Sequence, residues 1–375
     1  MRIDAVELRR VCLPLVTPFR TSFGTDDVRD ALLVHVLLDD GGEGWGECVA
    51  DLEPLYSSEH VDGAAETLRR FLIPRLLAWQ REHEGTQPEH VASALDRVQG
   101  HPMAKGALEM AVLDASLRSA GRSFGERLGA VRARVDCGVS VGIQPSVVDL
   151  LDTVAGYLDD GYRRVKLKIE PEHDVEPVRA VRARFPDVML QVDANAAYSL
   201  RDDHVAALRA LDDFDLALVE QPLAPDDLLG HATLAGRVRT PICLDESITS
   251  ARVAELAITI GACSIVNIKA GRVGGYLEAV RVHDACATLD TPAWCGGMLE
   301  TGLGRAANIA LAALPNFTLP GDTSASARYF AEDLTEPFVL DDGRLAVPTG
   351  PGLGVAPRPE ALRAFTTAVE LIRDH

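Results

Sequence analysis

Arg163-Arg164-Val165-Lys166-Leu167-Lys168-Ile169-Glu170 alternates apolar and polar side chains with a period of two. In an extended strand Val165, Leu167 and Ile169 share one face, while Lys166 and Lys168 point together to the other. Taken alone, such a segment reads first as an edge strand with a solvated basic face. The downstream chain overturns that reading. Four more short apolar runs succeed it at roughly the 25-residue spacing of a βα repeat: QVDAN to Asn195, ALVEQP to Pro222, ICLDES to Ser247 and IVNIK to Lys269. Asp193, Glu220 and Asp245 stand where their runs turn polar, which in a parallel barrel is the C-terminal rim where catalytic groups collect. The order around that rim is then Lys, Asp, Glu, Asp, Lys.

Working outward, the strands VDCGVSV, RVKLKI, VMLQVDA, LALVEQ, ICLDES, SIVNIK, PAWCGG and NFTLPGD are separated by helical patterns, and the eighth has no comparable helix after it. This is the pattern of a TIM-like (β/α)7β barrel over residues 131–325. No Gly-x-Gly-x-x-Gly follows the first strand, so a dinucleotide site is not supported. Gly271-Arg272-Val273-Gly274-Gly275 reads as a tight turn and helix start after strand six, from which Arg272 could clamp a carboxylate.

Residues 1–130 have a different pattern. MRIDAVELRRVCLPL alternates weakly, and ALLVHVLL and WGECVA flank the turn Asp39-Asp40-Gly41-Gly42-Glu43-Gly44, a hairpin signal. Helical stretches follow at about 64–80, 88–98 and 102–120. Sheet first and helices second predict an α+β capping domain. Pro18 to Thr25, rich in turn formers but carrying Phe19 and Phe23, reads as a loop anchored by buried aromatics or a lid over a site. Residues 326–375 are expected to return to the cap through a hairpin around Asp341-Asp342-Gly343, a glycine-rich turn at 350–354 and a terminal helix.

Composition narrows the function. A chain of 375 residues with 47% hydrophobic content suits a barrel plus one smaller domain. No uncharged run approaches the ~20 residues that span a bilayer, and the first residues carry no signal-like apolar stretch. Seven scattered cysteines without Cys-x-x-Cys spacing argue against a disulfide framework and against zinc, and fit a reducing cytoplasm. A formal charge of −19 disfavours nucleic acid and anionic membrane as partners. A small anionic substrate remains acceptable where local cations draw it in.

Three carboxylates aimed at one small volume repel one another, and a hard divalent cation removes that penalty. Oxygen-only ligands select Mg²⁺, with Mn²⁺ able to substitute. Such an ion binding a substrate carboxylate stabilises the enediolate formed when the adjacent carbon loses its proton. The base should be an amine near the cation, because positive charge and burial both bring a lysine toward its neutral form. Lys168 is the candidate, supported by Lys166, and Lys269 would face the same carbon from across the mouth. A Lys base with a divalent ion is itself a known general pattern. Each acid alone is more often a helix cap or rim salt bridge, and for Asp245 the nearby Ser247 and Thr249 keep that alternative open. The ordered set of five side chains carries the inference.

The Lys-x-Lys at 166–168, the acids at 193, 220 and 245, and Lys269 resemble the enolase superfamily in its muconate lactonising subgroup. Gly296-Gly297-Met298-Leu299-Glu300-Thr301-Gly302 and PNFTLPGDTSAS at 315–326 resemble the o-succinylbenzoate synthase / N-succinylamino acid racemase family. The resemblance covers nearly the whole chain. It implies one enediolate with two fates: loss of water with Lys168 as sole base, or racemisation with both lysines acting. It also implies substrate contacts at Ser140, Asn195, Asn267, Gly296, Met298, Phe19 and Phe23, a mobile specificity loop at 17–25, and an Arg272 matching racemase-competent members. A homo-oligomer is expected. A dedicated synthase, a dipeptide epimerase and a muconate cycloisomerase would keep the same five residues, and a catalytically silent barrel that only binds ligands is the alternative of a different class.

Overall fold

The computed structural model describes residues 1–373. Three antiparallel strands open the chain: β1 (Ile3–Arg20), β2 (Thr25–Leu38) and β3 (Glu43–Cys48). Ile3, Val6 and Leu8 on β1 and Leu32, Val34 and Val36 on β2 bury one face of this sheet against Leu68, Leu72, Leu76, Leu108 and Val112. Those side chains come from a continuous helical run over 61–82 and from the helix Pro102–Ala120, which starts with proline in its first turn, where a missing N–H costs nothing. The aromatic stretch at 18–25 is no separate loop. β1 runs to Arg20 and β2 resumes at Thr25, so Phe19 lies inside a long hairpin whose tip is closed by the Thr21 N–H donating to Gly24 O.

The expected first barrel strand is split in two: β4 (Arg134–Asp136) lies outside the barrel sheet, and β5 (Gly138–Val141) opens it. It continues through β6 (Arg164–Lys168), β7 (Met189–Asp193), β8 (Val219–Glu220), β9 (Ile242–Leu244), β10 (Ile265–Ile268) and β11 (Ala293–Cys295). β5 to β11 form one parallel sheet in chain order. The intervening helices are started by side-chain caps, for example Ser146, Asp227, Ser250 and Thr301, each accepting from an N–H of the first turn. The expected eighth strand, NFTLPGD, is irregular because Pro320 has no N–H to donate. It still occupies the eighth place. Thr318 N–H donates to Ala293 O at 3.1 Å and Gly138 N–H to Gly321 O at 2.7 Å, so residues 317–321 bridge β11 to β5.

The C-terminal segment departs from expectation at two points. β12 (Arg344–Ala346) pairs antiparallel with β4, and the expected hairpin around Asp341-Asp342-Gly343 is present only as one bridge between Asp341 and Arg344. After the short helix Pro359–Phe365 the chain ends in a strand, β13 (Thr366–Arg373), which pairs with β1 and makes the edge of the cap sheet. The expected terminal helix stops short of Val369 and Leu371 because β pairing with an existing edge strand overrides local propensity. Among the described residues no helix is long and apolar enough to cross a membrane, and all seven cysteines are free.

Two buried acids tie cap to barrel. Glu109, on helix Pro102–Ala120, accepts from the N–H groups of Tyr276 and Leu277 at 2.9 and 3.2 Å, capping helix Tyr276–Thr288. Glu47, on β3, accepts from Thr301 and Gly304 N–H at the start of helix Gly302–Ala312. A carboxylate at a helix N-terminus satisfies orphan donors and the helix dipole together. The insertion of Glu109 demands glycine at 275: with φ of +142° a Cβ there would meet the Glu109 carboxylate at 1.8 Å.

Candidate active site

The register of the parallel sheet sets the site. Lys168 pairs with Asp193, and Asp193 with Glu220, so alternation carries all three to the same level of the barrel interior. Lys166 lies one pleat below on the same face. β6 is second and β10 sixth in a ring of eight, so the amines of Lys168 and Lys269 come from opposite walls. Just beyond β7 and β8 the backbone is strained: Asn195, Ala196 and Gln221 have φ of +41°, +63° and +37°. Non-glycine residues in that region cost energy and cluster at functional sites.

The charged groups interlock. Lys166 Nζ lies 2.9 Å from Glu220 Oε2, 3.3 Å from Asp193 Oδ2 and 2.9 Å from Asp322 Oδ2, with the Trp294 ring below it. Lys168 Nζ donates to Asp193 Oδ2 at 2.6 Å and to Asn195 Oδ1 at 2.7 Å. Lys269 Nζ is 2.8 Å from Asp245 Oδ2, 3.4 Å from the Met298 sulfur and 4.4 Å from the Tyr56 ring centre. Burial pushes Asp193 upward, but Lys168 and Lys166 outweigh it and hold the carboxyl well below the usual carboxylate range. Glu220, fully enclosed beside Asp193, is pushed up by burial and by that like charge. Burial lowers Lys269, and Tyr56, Glu246, Glu220 and Asp193 raise it by more.

A hard divalent cation is compatible with this donor set. Asp193, Glu220 and Asp245 supply only oxygen, and they are 1% exposed or less. Asp245 Oδ2 has an ammonium nearby but no directed hydrogen bond, and Glu246 Oε2 is likewise enclosed without a donor among the described residues. Burial and the neighbouring Asp193 push Glu246 up to about 7, the signature of surplus negative charge. Among the described residues no three acidic, imidazole or thiol groups form a ready cage. The amines and the Arg272 guanidinium stand between the acids and compensate them, so Asp193, Glu220 and Asp245 would have to exchange those partners for an ion.

The pocket above these groups is lined by Lys166, Lys168, Lys269, Ser140, Asn195 and Met298 from the barrel. Phe19 and Phe23 of the cap hairpin cover it, as does Tyr56. Three residues expected to contact substrate lie elsewhere. Arg272 does not face the pocket: its guanidinium is bound to Asp245 and donates to Ile248 O and Asn267 O at 2.7 Å each. Asn267 lies deeper than the pocket, donating to Glu220 Oε1 at 2.7 Å. Gly296 lets the backbone close over it, since a Cβ would stand 2.3 Å from Asn267 Oδ1. Sequence reasoning missed Asp322, Glu246 and Tyr56. Asp322 ends the eighth apolar run as Asp193 ends the third, so the same rule would have found it. It forms ion pairs with Arg164 and Lys166.

The geometry now meets its relatives. Residues 149–361 match the family described as enolase C-terminal domain-like, and residues 5–129 match the mandelate racemase / muconate lactonizing enzyme N-terminal domain. The chain belongs to the enolase superfamily. An N-succinylamino acid racemase of an Amycolatopsis species is 64% identical over 369 residues, 98% of each chain. An o-succinylbenzoate synthase of Geobacillus stearothermophilus is 48% identical over 94% of this chain and 93% of its own. The crystal structure of an enolase superfamily member from Listeria innocua superposes over 100% of both chains with a TM-score of 0.94 at 40% identity. Members of the enolase superfamily are enzymes that use a divalent metal to abstract a proton next to a carboxylate, and this chain carries both halves of that fold.

Proposed function

We propose that this enolase superfamily member is an N-succinylamino acid racemase that also acts as an o-succinylbenzoate synthase, with Mg²⁺ as its cofactor. The observation that carries this is the opposition of two amines, Lys168 and Lys269, across one pocket. For racemisation one amine takes the α-proton and the ammonium opposite returns a proton to the other face, which inverts the carbon and exchanges the roles of the two lysines. In the synthase reaction one base, Lys168, suffices while Lys269 stays cationic. Asp193, Glu220 and Asp245 would hold the metal, which when bound supplies positive charge to the enediolate. Phe19, Phe23 and Tyr56 screen the reacting carbon from water.

Charge favours an anionic substrate once a metal is bound. Asp26 and Asp51 line the pocket beside Lys166, Lys168 and Lys269, and Arg29 pairs with Asp51. The charge of a divalent ion would offset Asp193, Glu220 and Asp245 and draw in a carboxylate such as that of an N-succinylamino acid. The test is proton NMR in deuterated water with Mg²⁺ and each enantiomer of an N-succinylamino acid. Loss of the α-proton signal from both enantiomers is expected, and retention of both signals would sink the proposal.

A further inference from the structure

Asn195 sits between two groups of opposite hydrogen-bonding character. On one side the Lys168 ammonium donates to Asn195 Oδ1 at 2.7 Å. On the other, Asn195 Nδ2 donates to Glu246 Oε1 at 3.0 Å. An ammonium can only donate and an ionised carboxylate can only accept, so with Glu246 ionised only one of the two amide orientations satisfies both neighbours. The backbone adds to the constraint: Asn195 N–H donates to Asp193 Oδ1 at 3.0 Å, and its φ of +41° fixes the direction of the side chain. The Glu246 carboxylate is enclosed although its residue as a whole is half-buried, and among the described residues Oε1 is used on Asn195 alone.

We propose that Glu246 is a positioning residue for Lys168: it locks the Asn195 amide with its oxygen toward the amine, and so aims one of the two bases. This rests on the two-base racemase reading above. The reason an orienter is needed lies in the other partner of Lys168, Asp193, which is an acid assigned to the metal. An amine held only by that acid would have its position set by the acid alone. Asn195 Oδ1 supplies a second, uncharged acceptor from the rim, and two fixed acceptors define where Nζ stands. Without Glu246 the amide is free to rotate and can turn its NH2 toward the ammonium, two donors facing each other. Among the described residues no hydrogen bond links Lys269 to Glu246, but the Glu246 charge helps to keep Lys269 cationic. Removing the charge therefore acts on both lysines, whereas removing the lock on Asn195 acts on Lys168 alone, and the lock is read as the difference between Glu246→Ala and Glu246→Gln.

The experiment compares α-proton exchange from the two enantiomers of an N-succinylamino acid in deuterated water at saturating Mg²⁺, with metal affinity measured separately by calorimetry. Lys269→Ala first identifies the enantiomer served by Lys168, because exchange should survive on that one alone. If Lys269→Ala exchanges neither enantiomer or both, the two-base reading itself fails. Glu246→Gln removes the charge but keeps an acceptor for Asn195 Nδ2, and Glu246→Ala removes both. With the enantiomer identified, Glu246→Ala should exchange it roughly tenfold or more slowly than Glu246→Gln does, the scale on which outer partners of a site matter, and the two variants should differ by less than about twofold on the other enantiomer. In an Asn195→Ala background the two Glu246 variants should behave alike, which a merely structural role would not produce. An equal difference between the two variants on both enantiomers, or none on either, overturns the proposal, as does a difference that persists in the Asn195→Ala background.

Discussion

The two flanks of the barrel mouth present the same amine in differently built surroundings. Lys168 is held by Asp193 and Asn195 of the next strand and its rim, and through Asn195 by Glu246 beyond β9, all from the barrel. Lys269 is held by Asp245 of the barrel but is covered by Tyr56, a residue of the capping domain whose hydroxyl donates to Asp245 Oδ1 at 3.0 Å. Its own turn is braced from behind by Glu109 of the cap, which holds the helix that starts after Gly275. One base is thus a property of the barrel, and the other requires the cap to be docked. A pocket that inverts a carbon needs both to stand at matched positions, so cap docking itself becomes part of the catalytic geometry.

The largest effect tests whether the two flanks are chemically equivalent. Lys168→Ala and Lys269→Ala should each lower racemisation by roughly 10²–10⁴-fold, the range for loss of a positioned acid or base. Polarimetry on a single enantiomer reads this directly. Full racemase activity in either variant would break the symmetry of the scheme. For the synthase reaction the flanks should diverge: Lys168→Ala abolishes dehydration, whereas a neutral residue at 269 removes only a cation.

Next comes the metal side, common to both flanks. Glu220 lies midway between them on β8 and is 0% exposed. Glu220→Gln should weaken Mg²⁺ binding in a calorimetric titration by more than the roughly 10–100-fold cost of losing an outer partner. It also leaves Lys166 and Asn267 with a neutral amide in place of the carboxylate they both contact. Unchanged metal affinity would move the ion away from β8.

The same contrast decides what could be read in the sequence. The Lys168 flank is legible because its members obey one rule, period-two alternation with a polar residue at the end of each apolar run. Lys166, Lys168, Asp193 and Glu220 fall on one barrel face through strand register alone. Glu246 escapes the rule because it follows Asp245 directly, so alternation assigns it to the opposite face, and only the turn after β9 brings it back to Asn195. Arg272 departs from expectation for a related reason. Position and charge suggest a substrate clamp, but the helix Ala270–Val273 turns its guanidinium back onto Asp245. Tyr56 on the Lys269 flank lies 189 residues from the acid it contacts, and no local pattern reports a contact between domains. The terminal strand β13 is illegible for the same reason, since its partner is β1 at the other end of the chain.

Tyr56 sharpens the comparison with a smaller effect. Tyr56→Phe keeps the ring face over Lys269 and removes the hydrogen bond to Asp245, whereas Tyr56→Leu removes both. A hydrogen bond to a charged group is worth about 1.5–3 kcal/mol and a cation–π contact about 1 kcal/mol. Exchange from the enantiomer served by Lys269 should then fall roughly tenfold in Tyr56→Phe and further in Tyr56→Leu, at about 1.4 kcal/mol per tenfold. The enantiomer served by Lys168 should respond less. Equal response from both would mean that Tyr56 acts on the substrate and not on the flank.

The smallest effect concerns the brace behind Lys269. Glu109 is pushed up from 4.5 to about 7 by burial, offset in part by the N–H groups of Leu277 and Tyr276. A carboxyl whose pKa is higher folded than unfolded contributes stability that is fully present below its unfolded value and is lost as pH rises through the folded one. The window is therefore about pH 4.5 to 7. Glu109→Gln cannot ionise and lacks this dependence, so its melting temperature should gain on the wild type by a few degrees as pH rises through that window, then run parallel above it. Activity should change by less than about twofold at fixed pH, because Gln can still accept from both N–H groups. A difference that stays flat with pH would mean that Glu109 is ionised throughout. The brace would then be a permanent charge at a helix N-terminus, and the dependence of the Lys269 flank on the cap would owe nothing to protonation.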